Sequence, residues 1–128
     1  MFKFKLKTYY EDTDSGGVVY YANYLKFTER ARTNLINDLG FSLKKLNKDY
    51  DCLFVVKKVN CDYLHSAKLE DELIVQSKFL KINNASFELE QNILRNDLII
   101  FTSEIVMVCV SSLGQPKKIP QNLKSLFK

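Results

Sequence analysis

Residues 9–25 read YYEDTDSGGVVYYANYL, three acids, two adjacent glycines and five tyrosines in seventeen positions. Residues 11–18 are a loop built from turn formers, Glu-Asp-Thr-Asp-Ser-Gly-Gly-Val. A helical pattern follows at once. A helix start carries backbone N–H groups without intrahelical partners, and the helix dipole makes that end positive. A carbonyl oxygen that gains negative charge during a reaction is stabilised there. Gly16 and Gly17 have no side chains to block close approach. Asp12 and Asp14 offer carboxylates that could act as nucleophile or base. The bland meaning of such a segment is an aspartate capping an ordinary helix, which is common.

The flanks place this stretch in a fold. Upstream, Phe2, Phe4, Leu6, Thr8 and Tyr10 alternate with Lys3, Lys5 and Lys7, the period of a half-buried strand with Tyr10 in its inward set. Downstream, Tyr21, Tyr24, Leu25, Thr28, Ala31, Leu35 and Leu39 recur at helical spacing, and Gly40 is a natural stop. Ser42 then caps a short candidate helix, Leu43 to Lys48. From Cys52 the texture changes to strands over Leu53 to Tyr63, Glu72 to Ile82, Ser86 to Leu94 and Leu98 to Val110. Their connectors Asn83-Asn84 and Arg95-Asn96-Asp97 are short and turn-prone, so neighbours run antiparallel. Gly114 and Pro116 end the last strand, and the tail beyond Pro120 reads as loosely held. Strand, one long helix, then four strands is an α+β domain. One helix cannot cover every strand, so part of the sheet is expected to meet a second subunit.

The totals narrow the function class. A length of 128 residues fits one domain, 1–128, and 46% hydrophobic residues exclude a disordered chain. Cys52, Cys61 and Cys109 are odd in number and form no CxxC pair, so neither a disulfide framework nor a metal site is expected. The first residues alternate lysine with apolar side chains and lack the continuous apolar core of a secretory signal. No apolar run reaches the length that spans a membrane, and a cytoplasmic protein is expected. The net charge of +4 is spread along the chain, which argues against nucleic acid and suits a small anionic ligand.

The run from Tyr10 to Leu25, continuing to Phe27, Glu29, Arg30, Ala31 and Arg32, resembles the signature of hot-dog-fold acyl-CoA thioesterases. It is most similar to the Tol-Pal-associated branch of the 4-hydroxybenzoyl-CoA thioesterase superfamily. "FVVKKVNCDYLHSAKLEDEL" and "GQPKKIP" extend the likeness over nearly the whole chain. The resemblance implies a five-stranded antiparallel sheet wrapped around one long central helix, and hydrolysis of an acyl-CoA thioester to free acid and CoA. By position it makes Asp14 the catalytic carboxylate, as nucleophile or general base. The backbone N–H of Tyr21 polarises the thioester carbonyl, and Tyr10 positions or shields Asp14. Tol-Pal-associated members usually carry histidine where Tyr21 stands, and the benzoyl-CoA branch carries tyrosine. The backbone role survives that change, because any non-proline residue supplies an N–H. Gly16, Gly17 and Val18 shape the approach of the carbonyl. The relatives need no metal or redox cofactor, with coenzyme A only part of the substrate. They form edge-to-edge dimers that often pair into tetramers.

Other residues read as structural. Asp12 is a turn residue, Glu29 pairs with a lysine or arginine, and His65, the only histidine, lies outside the motif near a turn. Glu70-Asp71-Glu72 is a solvated turn. Lys57, of the pair Lys57-Lys58, could face the coenzyme A phosphates. The competing reading is a non-hydrolytic acyl-CoA or acyl-carrier-protein binder of a lipid or envelope assembly. A hydratase is disfavoured by the lack of a motif histidine.

Overall fold

A computed structural model describes residues Met1–Lys128. β1 (Phe2–Lys7) leads through a 3-10 turn (Tyr10–Asp12) to α1 (Asn23–Asp38) and α2 (Leu43–Tyr50). Four strands follow, β2 (Leu53–Tyr63), β3 (Glu72–Ile82), β4 (Ser86–Arg95) and β5 (Leu98–Val110), and then α3 (Gln121–Lys124). All strand pairs are antiparallel, in the order β1-β3-β4-β5-β2. The helix α1 crosses one face of the sheet. Its first half packs Tyr24, Phe27 and Ala31 against Leu73, Val75, Ile93 and Phe101. Its second half packs Leu35 and Ile36 against Phe87, Leu89, Ile105 and Met107. This is the sheet wrapped around a single long helix that the family resemblance implied.

Period-2 alternation explains the sheet. Phe87, Leu89, Gln91 and Ile93 of the central strand β4 are all buried, while the residues between them are half-exposed. Gln91 is the polar exception on that face and is fully satisfied. Its Nε2 donates to the Thr28 carbonyl at 3.0 Å and to Ser77 Oγ at 2.9 Å. Its Oε1 accepts from Arg32 at 3.0 Å. These bonds fix both the rotation and the height of α1 on the sheet. Ser42 caps α2 as expected, accepting from the Lys45 N–H at 3.1 Å.

Three expectations are corrected. Tyr10 does not continue the inward face of β1. The strand ends at Lys7, the 3-10 turn rotates the chain, and Tyr10 is 83% exposed. The tail beyond Pro120 is not loose, because Leu123 of α3 and Phe127 beyond it are buried in the core and Phe127 stacks on Phe79 at 4.5 Å. Asp71 is not simply solvated: its carboxylate pairs with Arg95 at 2.9 Å and accepts the Lys68 N–H at 2.8 Å.

Candidate active site

The loop before α1 is held at both ends. Asp12 is buried, and its Oδ2 accepts the Tyr9 N–H at 2.8 Å. Its carbonyl accepts from the Tyr20 N–H and from Asn23 Nδ2, each at 2.9 Å. Asp12 therefore ties the loop to the start of the helix, the turn role expected of it. Val19 is buried and donates its N–H to the Ala67 carbonyl at 2.8 Å.

Between these anchors the chain makes a tight turn around Asp14. The Asp14 N–H donates to the Val18 carbonyl at 2.9 Å, and the Gly17 N–H donates to the Asp14 carbonyl at 3.1 Å. Gly17 sits at φ +81°, a region that side chains disfavour. Gly16 donates its N–H to Asp14 Oδ1 at 2.8 Å, and a Cβ on Gly16 would lie 3.2 Å from that oxygen. The glycines thus serve the carboxylate directly. Asp14 itself is solvent-exposed. With Oδ1 held by Gly16, Oδ2 makes no hydrogen bond to the protein.

Neither aspartate caps α1. The N-cap is Ala22, and no side chain bonds to the helix start. The Tyr21 N–H has no acceptor within the protein. The Asn23 and Leu25 N–H groups are paired with the Tyr20 and Ala22 carbonyls, so the Tyr21 N–H is a donor left open just ahead of the helix's positive end, next to a loop that presents a carboxylate. The Tyr20 hydroxyl is held above the usual phenol range, chiefly by the neighbouring Tyr21 hydroxyl, and the negative charge of Asp14 adds to this.

Tyr63, at the end of β2, was not anticipated. Its hydroxyl donates to the Tyr21 carbonyl at 3.0 Å. Its ring meets Tyr21 at 6.2 Å, Tyr24 at 5.3 Å and Phe101 at 5.1 Å. Tyr24 Oη in turn accepts the Ala67 N–H at 2.9 Å. This aromatic cluster braces the backbone around Tyr21. Nothing in the sequence marked Tyr63, because its partner lies 42 residues away.

Asp14, Gly16, Gly17 and Val18 share one turn, and Tyr21 lies on the chain leading from it into α1, while the other two candidates stand apart. Tyr10 makes no hydrogen bond to Asp14, and its carbonyl accepts from the Thr13 N–H and hydroxyl. Lys57 is exposed at the β-bulge between Val56 and Lys58 on the edge strand β2. It lies six residues from Tyr63, about 20 Å along an extended strand. Glu29 makes no ion pair; the Thr33 hydroxyl donates to its carboxylate at 2.6 Å. His65 is exposed, as expected. Farther along α1, an apolar cavity of about 250 Å³ opens between the helix, α2 and β2. Leu35, Ile36, Phe54, Leu89 and Met107 line it, with Glu29, Arg32 and Thr33 contributing polar groups.

The profile of the thioesterase-like superfamily matches residues 10–127. The chain is 40% identical over 128 residues to the acyl-CoA thioesterase YbgC of Haemophilus influenzae, covering 98% of this chain and 93% of that protein. The crystal structure of a probable thioesterase from Bartonella henselae superimposes with a TM-score of 0.90 at 29% identity, over 92% of this chain and 98% of the other. A mutant 4-hydroxybenzoyl-CoA thioesterase complexed with 4-hydroxybenzoyl-CoA shares the fold, with a TM-score of 0.91 over 98% and 97% of the two chains at 15% identity.

Proposed function

The chain belongs to the thioesterase-like superfamily, and from that premise we infer how its opening loop cleaves an acyl-CoA. The reaction is hydrolysis of the thioester to free acid and CoA. The thioester carbonyl lies at the start of α1 with its oxygen on the Tyr21 N–H. As negative charge builds on that oxygen, the open donor and the helix dipole stabilise it. Asp14 Oδ1 stays on the Gly16 N–H, while the free Oδ2 attacks the carbonyl carbon or takes a proton from water. The CoA thiolate is a good leaving group, so this chemistry calls for no metal or redox cofactor. The observation that carries this reading is the uncapped start of α1, with the Tyr21 N–H unpaired beside the loop that holds Asp14.

Gly16, Gly17 and Val18 leave the carbonyl room to approach. Tyr10 stands on the exposed rim, where it covers the bound thioester from outside rather than shielding Asp14 from within. Lys57 meets the CoA phosphates of a substrate bound across two protomers, a reading supported by the roughly 20 Å of strand between it and Tyr63. The substrate carrier is CoA, with acyl carrier protein a second donor of the same thioester. The protein works in the cytoplasm as a dimer or tetramer.

Asp14→Asn tests the assignment. Thiol release from acyl-CoA falls by at least a hundredfold in this variant while circular dichroism stays unchanged. Near-normal turnover would remove Asp14 from the mechanism. Binding without thiol release by the wild type would favour the non-hydrolytic reading. A single turnover in 18O-labelled water bears on the two chemistries: label entering Asp14 indicates a mixed anhydride opened at the aspartyl carbon, and its absence counts against that route.

A further inference from the structure

The segment that carries Asp14 enters and leaves against one small loop, residues 66–71, between β2 and β3. On the entry side, Thr8 follows β1 and is fully buried. Its N–H donates to the Asp71 carbonyl at 3.0 Å, and its carbonyl accepts the Glu70 N–H at 3.2 Å. Its hydroxyl donates to the Lys68 carbonyl at 2.6 Å and accepts the Asp71 N–H at 3.0 Å. On the exit side, Val18 forms an antiparallel bridge with Lys68, and the Val19 N–H donates to the Ala67 carbonyl at 2.8 Å. Val18 is also the residue whose carbonyl takes the Asp14 N–H. The loop thus holds both ends of the segment that presents the carboxylate.

Six residues do not keep such a shape unaided. Glu70 sits at φ +65°, a left-handed conformation that persists in a residue with a side chain only where its surroundings over-determine it. An ion pair does this. Arg95, the last residue of β4, donates from Nη1 to the Asp71 carboxylate at 2.9 Å and to the Ser66 carbonyl at 2.7 Å. The same Asp71 oxygen accepts the Lys68 N–H at 2.8 Å. Arg95 therefore grips both ends of the loop, and Asp71 grips its middle. The two charged side chains are only 26% and 24% exposed, so water screens the pair less than it screens a surface pair.

We infer that Arg95 is a positioning residue for the hydrolysis, acting with Asp71 and Thr8: it touches no substrate, and it sets turnover by fixing the loop on which the Asp14 turn is seated. This rests on the reaction proposed at Asp14 and the Tyr21 N–H. The path is continuous, from Arg95 to Ser66 and Asp71, through the loop to Val18 and Val19, and from Val18 to Asp14. Moving a reacting group by about 1 Å costs up to about a hundredfold in rate. Releasing the clasp removes no group that binds substrate, so the loss falls on kcat and not on KM.

The chain has four glycines, Gly16 and Gly17 in the catalytic turn and Gly40 and Gly114 outside it. In protein labelled with 15N-glycine, Arg95→Met shifts the Gly16 and Gly17 amide signals and leaves Gly40 and Gly114 in place. With an acyl-CoA, kcat falls roughly tenfold or more while KM stays within about twofold. Arg95→Lys, which keeps the charge and a donor, returns most of the lost kcat. Unmoved Gly16 and Gly17 signals overturn the proposal, and so does a lysine variant no faster than the methionine one. Thr8→Val, which removes the buried hydroxyl at nearly constant volume, gives the same signal shifts and kcat loss if Arg95→Met does not fold. Asp14→Asn is assayed alongside. If it abolishes turnover and Arg95→Met leaves kcat unchanged, the clasp serves stability alone and the proposal fails. If Asp14→Asn turns over normally, the mechanism at Asp14 fails instead, and the glycine signals still report whether the clasp holds the turn.

Discussion

Asp14 owes its place to two residues without side chains. Gly16 keeps its N–H on Oδ1 because no Cβ crowds that oxygen, and Gly17 closes the turn at a backbone angle that an L side chain resists. Alanine at Gly17 costs about 1–2 kcal/mol of conformational strain. The turn has few other bonds to absorb it, so the carboxylate moves. Gly17→Ala is expected to lower thiol release more than tenfold while the melting temperature falls only a few degrees. Parallel losses in both would mean that the turn serves folding alone. The two aspartates, alike in sequence, are told apart by what they bond. Asp12 spends its carboxylate and carbonyl on the backbone and on Asn23, whereas Asp14 keeps one oxygen free.

Among the elements, α1 carries the chemistry and the rest of the fold holds it still. Gln91 locks its middle, the Tyr63 cluster braces its start, and the C-terminal tail packs beneath the cavity end. Phe127 fills a space between Phe79 and Phe87, with ring centroids 4.5 and 4.9 Å away. Truncating a buried phenylalanine removes its transfer free energy and leaves a cavity. Phe127→Ala is expected to destabilise the protein by about 3–4 kcal/mol in urea unfolding. A loss below about 1 kcal/mol would mean that the tail is not part of the core. Burial and contact with Cys109, 3.1 Å away, push the Cys52 thiol up. Both side chains are buried in the core.

At the scale of the whole molecule the two sheet edges differ. β1 presents Lys3, Lys5 and Lys7, the kind of charged edge that resists pairing. β2 exposes Leu53, Val55 and Val56 along an unpaired edge. A two-fold pairing of β2 with its copy would cover these residues. Val55→Glu places like charges across such an interface and is expected to shift a dimer toward monomer in sedimentation velocity, with thiol release reduced. An unchanged sedimentation coefficient would move the interface elsewhere.

The opening stretch and the hydrophobic periods of the strands were enough to read the order of elements, an antiparallel sheet with one long helix, and a loop that sets Asp14 beside the glycines; the roles of Asp14 and Tyr21 came from the family resemblance. The first three are local properties, set by turn chemistry and by the alternation of neighbouring residues. What depended on distant packing was not legible. The outward turn of Tyr10 follows from where β1 stops pairing with β3. The burial of Phe127 follows from a gap left by Phe79 and Phe87. The bracing by Tyr63, the bulge at Lys57 and the cavity beside Ile36 arise only when β2 folds back along α1. No spacing within the chain encodes that juxtaposition, because it is the sum of side-chain volumes and hydrogen bonds across the whole core.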